Sequence, residues 1–169
     1  MTAESGSNQK SAKEAHSSLL YQSKKWGLKV RNSKPILLVE DDNVDVMIVK
    51  RAFKDLNIKN QLVSTANGEE ALEYLKNNGN NKPCIIFLDL NMPKMNGIEF
   101  LQIVKADDTL KKIPVVVLTT SSQQQDIIDS FKLSVAGYIV KSVDYAEFTE
   151  AISTVNLYWT LSKLPSNGD

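Results

Sequence analysis

The stretch Cys84-Ile-Ile-Phe-Leu-Asp-Leu-Asn-Met-Pro93 decides the fold. Its first five residues form a continuous apolar run, which ends at Asp89 and is soon followed by Pro93. A short apolar run closed by turn residues predicts a strand that is buried on both faces, as in a parallel sheet. Asp89 would then lie at the carboxyl end of that strand, where open α/β sheets bind their ligands.

Similar apolar runs alternate with helical patterns along the chain. The predicted strands cover residues 35–39, 61–66, 84–88, 113–118 and 137–140. The predicted helices cover residues 43–56, 69–76, 98–106 and 121–133, and a last helix begins at Asp144. Five strand–helix units predict an α/β fold, with a parallel sheet, right-handed crossovers and helices on both faces.

Apolar spacing and polar residues predict the buried helix faces and the helix starts. In the first helix the inward residues would be Val44, Ile48, Ala52 and Leu56. The fourth helix would be capped by Ser121 and Ser122 and would present Ile127, Ile128 and Phe131. The last helix would begin with a capping box and repeat Tyr145, Phe148, Ile152, Val155 and Trp159 inward.

Composition and charge indicate one globular domain with a basic tail. The chain has 169 residues, of which 42% are hydrophobic and 24% charged. Residues 1–34 are polar and hold seven Lys and Arg against two Glu, so we expect a largely disordered tail that includes a solvated His16. We expect the domain to span residues 35–162 and a short tail to follow at 163–169.

The same composition excludes several classes of function. The body of the chain is acidic, so we expect no direct DNA binding. No run of 18 apolar residues is present, so we expect no membrane insertion. The chain has no signal-peptide pattern and a single cysteine, Cys84, which together favour the cytoplasm. We interpret Cys84 as a small core residue rather than a redox sensor.

Polar residues gather at the ends of the predicted strands. Glu40, Asp41 and Asp42 follow the first strand, and Asp89 follows the third. Thr119 and Thr120 follow the fourth strand, and Lys141 follows the fifth. Carboxylates brought to one edge repel each other unless a cation offsets their charge, and oxygen ligands suit Mg²⁺. A carboxylate beside Mg²⁺ and a lysine is suited to attack phosphorus and form an aspartyl phosphate.

Each of these residues also has a simpler interpretation. One of Asp41 and Asp42 could cap the first helix. Thr119 alone is most often an ordinary strand-end residue, and Lys141 alone a solvated amine. The combination is far more specific than any single member.

Four motifs resemble those of the receiver domain of two-component response regulators. They are Ile36-Leu-Leu-Val-Glu-Asp-Asp42, Leu88-Asp-Leu-Asn-Met-Pro93, Val115-Val-Val-Leu-Thr-Thr-Ser121 and Tyr138-Ile-Val-Lys141. They occur in the family's order and spacing, and the resemblance covers roughly residues 35–160. It implies the flavodoxin-like strand order 2-1-3-4-5. It also implies that Asp89 accepts phosphate from a phosphohistidine of a sensor kinase, with no enzymatic turnover beyond slow self-dephosphorylation.

The resemblance assigns further roles by position. Asp41, Asp42, Asp89 and the backbone carbonyl of Asn91 would hold Mg²⁺. Thr119 and Tyr138 would form the switch, and Lys141 would pair with the phosphate. Asn91 and Ser121 lie where the family tunes the lifetime of the phosphate. Tyr138 could instead be a plain surface residue of its strand.

One position departs from the family pattern. A proline joined by a cis bond usually follows the lysine, whereas here Ser142 follows Lys141. A cis bond without proline costs about 2.5–4 kcal/mol. We therefore expect either a strained cis bond or a trans bond with a shifted loop.

Details outside the motifs resemble the single-domain regulators that are paired with phytochromes. They are Arg51-Ala-Phe53, the segments 105–107 and 113–114, and Tyr158-Trp159 with Leu164-Pro165. A phytochrome-type kinase and a downstream protein or phosphotransfer partner are the implied partners. The last helix has a second apolar side with Leu157, Tyr158, Leu161 and Leu164. That side predicts a homodimer through the fourth helix, fifth strand and fifth helix.

Two other classes share parts of this pattern. A phosphatase of the haloacid-dehalogenase type also uses a strand-end aspartate, a hydroxyl, a lysine and Mg²⁺. It needs a second aspartate two residues after the nucleophile, where this chain has Asn91. A receiver-like binding module that is never phosphorylated would not require Asp89, Thr119 and Lys141 together.

Overall fold

Five strands form one parallel sheet in a computed structural model that describes residues 34–79 and 81–161. The strands are β1 (Ile36–Val39), β2 (Leu62–Thr65), β3 (Ile85–Leu88), β4 (Val115–Thr119) and β5 (Gly137–Val140). Their order is β2-β1-β3-β4-β5, which confirms the predicted flavodoxin-like order. The polar N-terminal tail with His16, and Leu164 in the C-terminal segment, lie outside the described residues.

The helices cover both faces of the sheet. They are α1 (Asn43–Asp55), α2 (Gly68–Asn77), α3 (Gly97–Ala106), α4 (Gln124–Lys132) and α5 (Tyr145–Leu161), with a 3-10 turn at Leu110–Lys112. Successive strand residues point to opposite faces. In β1, Leu37 and Val39 pack with α2 and α3, while Ile36 and Leu38 pack with α1 and α5. The central strands β1, β3 and β4 are therefore almost entirely apolar because both of their faces are buried, whereas the edge strands β2 and β5 are only partly buried.

The buried face of α1 agrees with the prediction in part: Ala52 and Leu56 are buried and Ile48 packs against the core. Val44, predicted inward, is 59% exposed. The core residues of this helix are Val46, Val49, Ala52 and Phe53. The sequence of α1 contains two overlapping apolar stripes, and the one starting at Val46 faces the sheet. Val44 and its neighbour Met47 are left at the surface.

The predicted start of α4 was wrong, and its apolar face is not buried in the core. The helix begins at Gln124, and its N-cap Gln123 makes no side-chain capping bond. Ser121 instead donates a hydrogen bond to Oδ2 of Asp126, at 2.5 Å. Phe131 is 53% exposed and Ile128 is also exposed. The apolar face of α4 is thus largely at the surface of the domain.

The start of α5 is capped largely as predicted. Oδ1 of Asp144 accepts hydrogen bonds from the backbone N–H groups of Ala146 and Glu147. The Glu147 carboxylate accepts from the hydroxyl of Ser142 rather than from the cap backbone. Phe148 and Ile152 are buried, and Tyr145, Val155 and Trp159 pack against the same core.

Two smaller features complete the fold. Cys84 is half-buried beside the core formed with α1 and α5, and burial raises the pKa of its thiol. Among the described helices, none has the length and apolar character needed to cross a membrane.

Candidate functional site

Asp89 follows β3 directly and is buried at the carboxyl edge of the sheet. Its backbone N–H donates to the carbonyl of Val39 at 2.9 Å. Gly97, the first residue of α3, packs against the backbone of the loop that follows β3. A Cβ at position 97 would lie 2.3 Å from the carbonyl oxygen of Asp89. A glycine is therefore required there by close approach.

Three carboxylates converge at this edge. Oxygen atoms of Glu40, Asp41 and Asp89 lie within 4.8 Å of one another. Glu40 is only 3% exposed, while Asp41 is exposed. Oε1 of Glu40 accepts from the backbone N–H of Asp42 at 3.1 Å, which fixes the orientation of this carboxylate.

Asp42, which was predicted as a metal ligand, lies outside this group of carboxylates. It is the N-cap of α1, and its Oδ1 accepts from the backbone N–H of Val44 at 2.7 Å. Capping satisfies one of the unpaired N–H groups at the start of the helix. Of the two residues for which a capping role was open, Asp42 has it, and Glu40 takes its place beside Asp41.

Lys141 is the cation of the site. Its Nζ lies 2.6 Å from Oε2 of Glu40, 2.6 Å from Oδ2 of Asp45 and 3.9 Å from Oδ1 of Asp89. The side chain of Lys141 is only 9% exposed. Asp45, in the first turn of α1, was missed by the sequence reasoning because its partner lies 96 positions away in the chain. The prediction that Lys141 reaches the carboxylate cluster agrees with this geometry.

Two pKa values at the site differ from their ordinary values. Burial raises the pKa of Glu40 to about 7, although Lys141 acts in the opposite direction. Burial alone would lower the pKa of Lys141, but its ion pairs with Asp45 and Glu40 raise it above the ordinary value. Lys141 is therefore charged, and the cluster around it carries excess negative charge once Glu40 ionises.

The side of the site towards α4 is formed by Thr119, Ser121 and Tyr138. Thr119 is fully buried, and its Oγ1 accepts from the backbone N–H of Ser121 at 3.3 Å. The hydroxyl of Tyr138 donates to the carbonyl of Ser121 at 3.0 Å. Tyr138 is half-buried against the core, so the alternative of a plain surface residue does not apply. Hydrogen bonds thus join the end of β4 to the side chain of Tyr138 in β5 through the loop that leads to α4.

The loop after Lys141 has a trans bond where the family has a cis proline. Every peptide bond between described residues is trans, including Lys141–Ser142. The Ser142 hydroxyl accepts from the N–H of Asp144 at 3.0 Å and donates to Glu147 at 2.7 Å. The second expected alternative, a trans bond, is the one found.

The cluster has the properties of a cation site. Carboxylate oxygens are hard ligands suited to Mg²⁺ or Mn²⁺. Oδ1 of Asp89 is buried and has no hydrogen-bond partner among the described residues. A buried, unpaired carboxylate oxygen is costly unless a cation or another partner satisfies it. The donor set therefore fits a divalent cation.

The family model for the response regulator receiver domain matches residues 36–153. This chain belongs to the receiver domain family. It is 37% identical to the response regulator Rcp1 of Synechocystis over 75% of the chain and 88% of Rcp1. It is 33% identical to the chemotaxis protein CheY-3 of Vibrio cholerae, over 71% of the chain and 89% of that protein. Receiver domains are signalling phosphoacceptors rather than enzymes of ordinary turnover.

Solved structures agree with this assignment. The phosphorylated cyanobacterial phytochrome response regulator RcpA superposes with a TM-score of 0.72 at 38% identity, covering 79% of this chain and 99% of RcpA. The Mn²⁺-bound form of Rcp1 superposes with a TM-score of 0.71 at 36% identity, with the same coverage. The resemblance to phytochrome-associated regulators is thereby confirmed.

Proposed function

We propose that this protein is a response regulator whose Asp89 accepts a phosphoryl group from a histidine kinase. The observation that carries the proposal is the position of Oδ1 of Asp89: it is buried, has no hydrogen-bond partner among the described residues, and lies 3.9 Å from the Lys141 ammonium. A carboxylate oxygen in this setting is available as a nucleophile, with a positive charge at hand for the transferred oxygens.

The transfer is a substitution at phosphorus. A carboxylate oxygen of Asp89 forms a bond to the phosphorus of a phosphohistidine, and the P–N bond breaks. The electron pair of that bond returns to the imidazole nitrogen, which takes up a proton. Lys141 pairs with the phosphoryl oxygens and limits the build-up of negative charge.

Glu40, Asp41 and Asp89, with the backbone carbonyl of Asn91, would hold a divalent cation, which we take to be Mg²⁺. When bound, the cation neutralises charge on the phosphoryl group. The cluster of three carboxylates supports this assignment. The Mn²⁺-bound form of Rcp1 supports it further, since that relative carries a divalent cation.

Thr119 and Tyr138 form the switch in this proposal. The Thr119 hydroxyl donates to a phosphoryl oxygen, which withdraws it from the N–H of Ser121 and loosens the loop to which Tyr138 is bonded. Asn91 and Ser121 border the phosphate and set its lifetime, so that the protein loses phosphate only slowly. The hydrogen bonds between Thr119, Ser121 and Tyr138 support this coupling.

The kinase would dock on the exposed apolar residues beside the site. Met47 is 65% exposed and Val44 and Val143 are exposed as well. A phytochrome-type kinase is favoured by the likeness to RcpA and Rcp1. With such a kinase as donor, Met47→Gln should slow phosphorylation, whereas Ile103→Gln, an exposed apolar residue on α3, should not. Equal rates for both variants would count against this docking surface.

Output would pass through a protein contact or through transfer to a further phosphotransfer protein. We propose a homodimer through α4, β5 and α5, because Phe131, Ile128 and Val140 leave apolar surface exposed there. Sedimentation with and without beryllium fluoride tests this: a monomer at high micromolar concentration in both states would contradict it.

Other expectations belong to the same proposal. We place the receiver domain at residues 35–162 and the protein in the cytoplasm, without direct DNA binding. The phosphatase alternative is disfavoured by Asn91, which occupies the position of the required general acid. Steady turnover of an aryl phosphate would revive that alternative.

The experiment is incubation with acetyl phosphate and Mg²⁺, followed by mass spectrometry of the intact protein. We expect one phosphoryl group on the wild type and on Asp108→Asn, which removes an exposed carboxylate, and none on Asp89→Asn. Equal phosphorylation of Asp89→Asn would overturn the proposal.

A further inference from the structure

Lys141 divides its contacts unequally between the carboxylates around it. Its Nζ makes two short ion pairs, at 2.6 Å, with Glu40 and Asp45. The distance to Oδ1 of Asp89 is 3.9 Å, too long for a hydrogen bond. The lysine that would serve the phosphoryl group is therefore held on the α1 side of the site, while Asp89 has an oxygen without a hydrogen-bond partner among the described residues.

Asp45 is distinct from the carboxylates that converge as a cation site. That group consists of Glu40, Asp41 and Asp89. The Asp45 side chain is 26% exposed and lies in the first turn of α1, three residues after the cap Asp42. An acidic residue in the first turn also stabilises a helix through its dipole, which is the simpler role for Asp45. The short contact with Lys141 is an additional feature that the dipole does not explain.

We propose that Asp45 is a positioning residue that holds Lys141 back in the unphosphorylated protein and releases it when a phosphoryl group arrives on Asp89. This inference rests on the proposed function of Asp89. The Lys141 ammonium has three N–H donors, and in the unphosphorylated protein two are directed to Glu40 and Asp45. On phosphorylation Lys141 keeps Glu40 and exchanges Asp45 for a phosphoryl oxygen.

Two effects of Asp45 act in the same direction. An ion pair that exists only before phosphorylation stabilises the unphosphorylated state, and by linkage it opposes phosphorylation. The negative charge of Asp45 also repels the incoming phosphoryl oxygens. Asp45 therefore sets the balance between the two states without itself touching the reacting atoms.

The test measures the affinity of the full-length protein for beryllium fluoride in the presence of Mg²⁺, by ¹⁹F NMR. Asp45→Asn keeps the shape of the side chain and removes its charge. We expect it to bind beryllium fluoride roughly two- to fivefold more tightly, as corresponds to the loss of one partly exposed ion pair. Asp45→Glu, which keeps the charge, should restore an affinity near that of the wild type. Asp45→Ser replaces Asp45→Asn if the latter does not fold.

Asp55→Asn is the matched control. It removes one negative charge from the other end of α1, where Asp55 accepts from the hydroxyl of Tyr145 at 2.9 Å. It should leave the affinity unchanged even if it lowers stability, so a general effect of charge or of helix stability is separated from the effect on Lys141. Unchanged or weaker binding by Asp45→Asn would overturn the role of Asp45. Absence of binding by every protein, the wild type included, would instead overturn Asp89 as phosphoacceptor, and this inference with it.

Discussion

Glu40 and Lys141 form a buried ion pair of 2.6 Å that links the ends of β1 and β5 across the site. The two side chains are 2% and 9% exposed. A buried pair of this kind strongly penalises the removal of one partner, because the other is left as an uncompensated charge. The ion pair explains why Glu40, which directly follows β1, belongs to the site. Asp42, two positions later, instead caps α1.

Glu40 and Asp42 should therefore respond differently to neutralisation. Glu40→Gln should lower the affinity for Mn²⁺ markedly, because it removes one of the clustered carboxylates. Asp42→Ala should cost about 1 kcal/mol of unfolding free energy through the lost cap, with little change in Mn²⁺ affinity. Electron paramagnetic resonance of free Mn²⁺ and urea denaturation measure the two quantities. Loss of Mn²⁺ binding in Asp42→Ala with unchanged binding in Glu40→Gln would restore Asp42 as the ligand.

Cation binding should depend on pH through Glu40. With its pKa at about 7, this carboxyl is mostly protonated at pH 6 and mostly ionised at pH 8. The Mn²⁺ affinity should therefore rise about tenfold over that interval, because the cation displaces the proton. Glu40→Gln should remove this dependence. A wild-type affinity that is flat from pH 6 to 8 would show that Glu40 is already ionised.

The free energy of unfolding of the metal-free protein should fall as the pH rises, whereas the Mn²⁺ affinity rises. The pKa of Glu40 is raised from 4.5 in the ordinary case to about 7 in the folded protein. The folded state thus binds more protons than the unfolded state between these values. The stabilising contribution of this group is fully present below about pH 4.5 and is lost as the pH rises through about 7. Urea denaturation in chelator at pH 6 and pH 8, with Glu40→Gln as control, measures it.

Gly97 should be intolerant of any side chain. An added Cβ would lie 2.3 Å from the carbonyl oxygen of Asp89 and 2.7 Å from Cα of Leu90, both backbone atoms. Gly97→Ala should cost about 1–3 kcal/mol and impair phosphorylation, since the Asp89 loop has to shift. Gly137→Ala is the control, because its Cβ would meet nothing closer than 3.7 Å. Equal denaturation midpoints for the two variants would contradict the close approach.

Much of the fold was predictable because the central strands are buried on both faces and are therefore almost entirely apolar. The runs ending at Val39, Leu88 and Leu118 all became central strands at nearly their predicted bounds. The strand order was implied by the resemblance to the receiver family, and the structure confirms it.

The helix faces were less predictable. α1 carries two apolar stripes, and nothing local distinguishes the stripe of Val44 from that of Val46, which faces the sheet. In α4, an apolar face that includes Phe131 does not by itself reveal whether it is covered by this domain or left exposed. Such choices depend on how each helix is placed against the sheet.

The sequence predicted the type of site correctly, but the predicted set of site residues was incomplete. Asp89, Thr119 and Lys141 were found at the strand ends, where parallel strands bring them together. Which of the consecutive acidic residues Glu40, Asp41 and Asp42 join the cluster depended on which of them caps α1, and that residue is Asp42. Asp45 was not found because its contact with Lys141 joins distant parts of the chain, and a first-turn acid has an ordinary explanation in the helix dipole.

The most direct measurement is the chemical identity of the phosphorylated residue. The protein is incubated with acetyl phosphate and Mg²⁺, reduced with borohydride, which converts an aspartyl phosphate to homoserine, and digested for tandem mass spectrometry. The account predicts homoserine in place of Asp89 and unmodified aspartate at positions 41, 42 and 45. Homoserine at another position, or a phosphoryl group that survives borohydride on a hydroxyl, would contradict it.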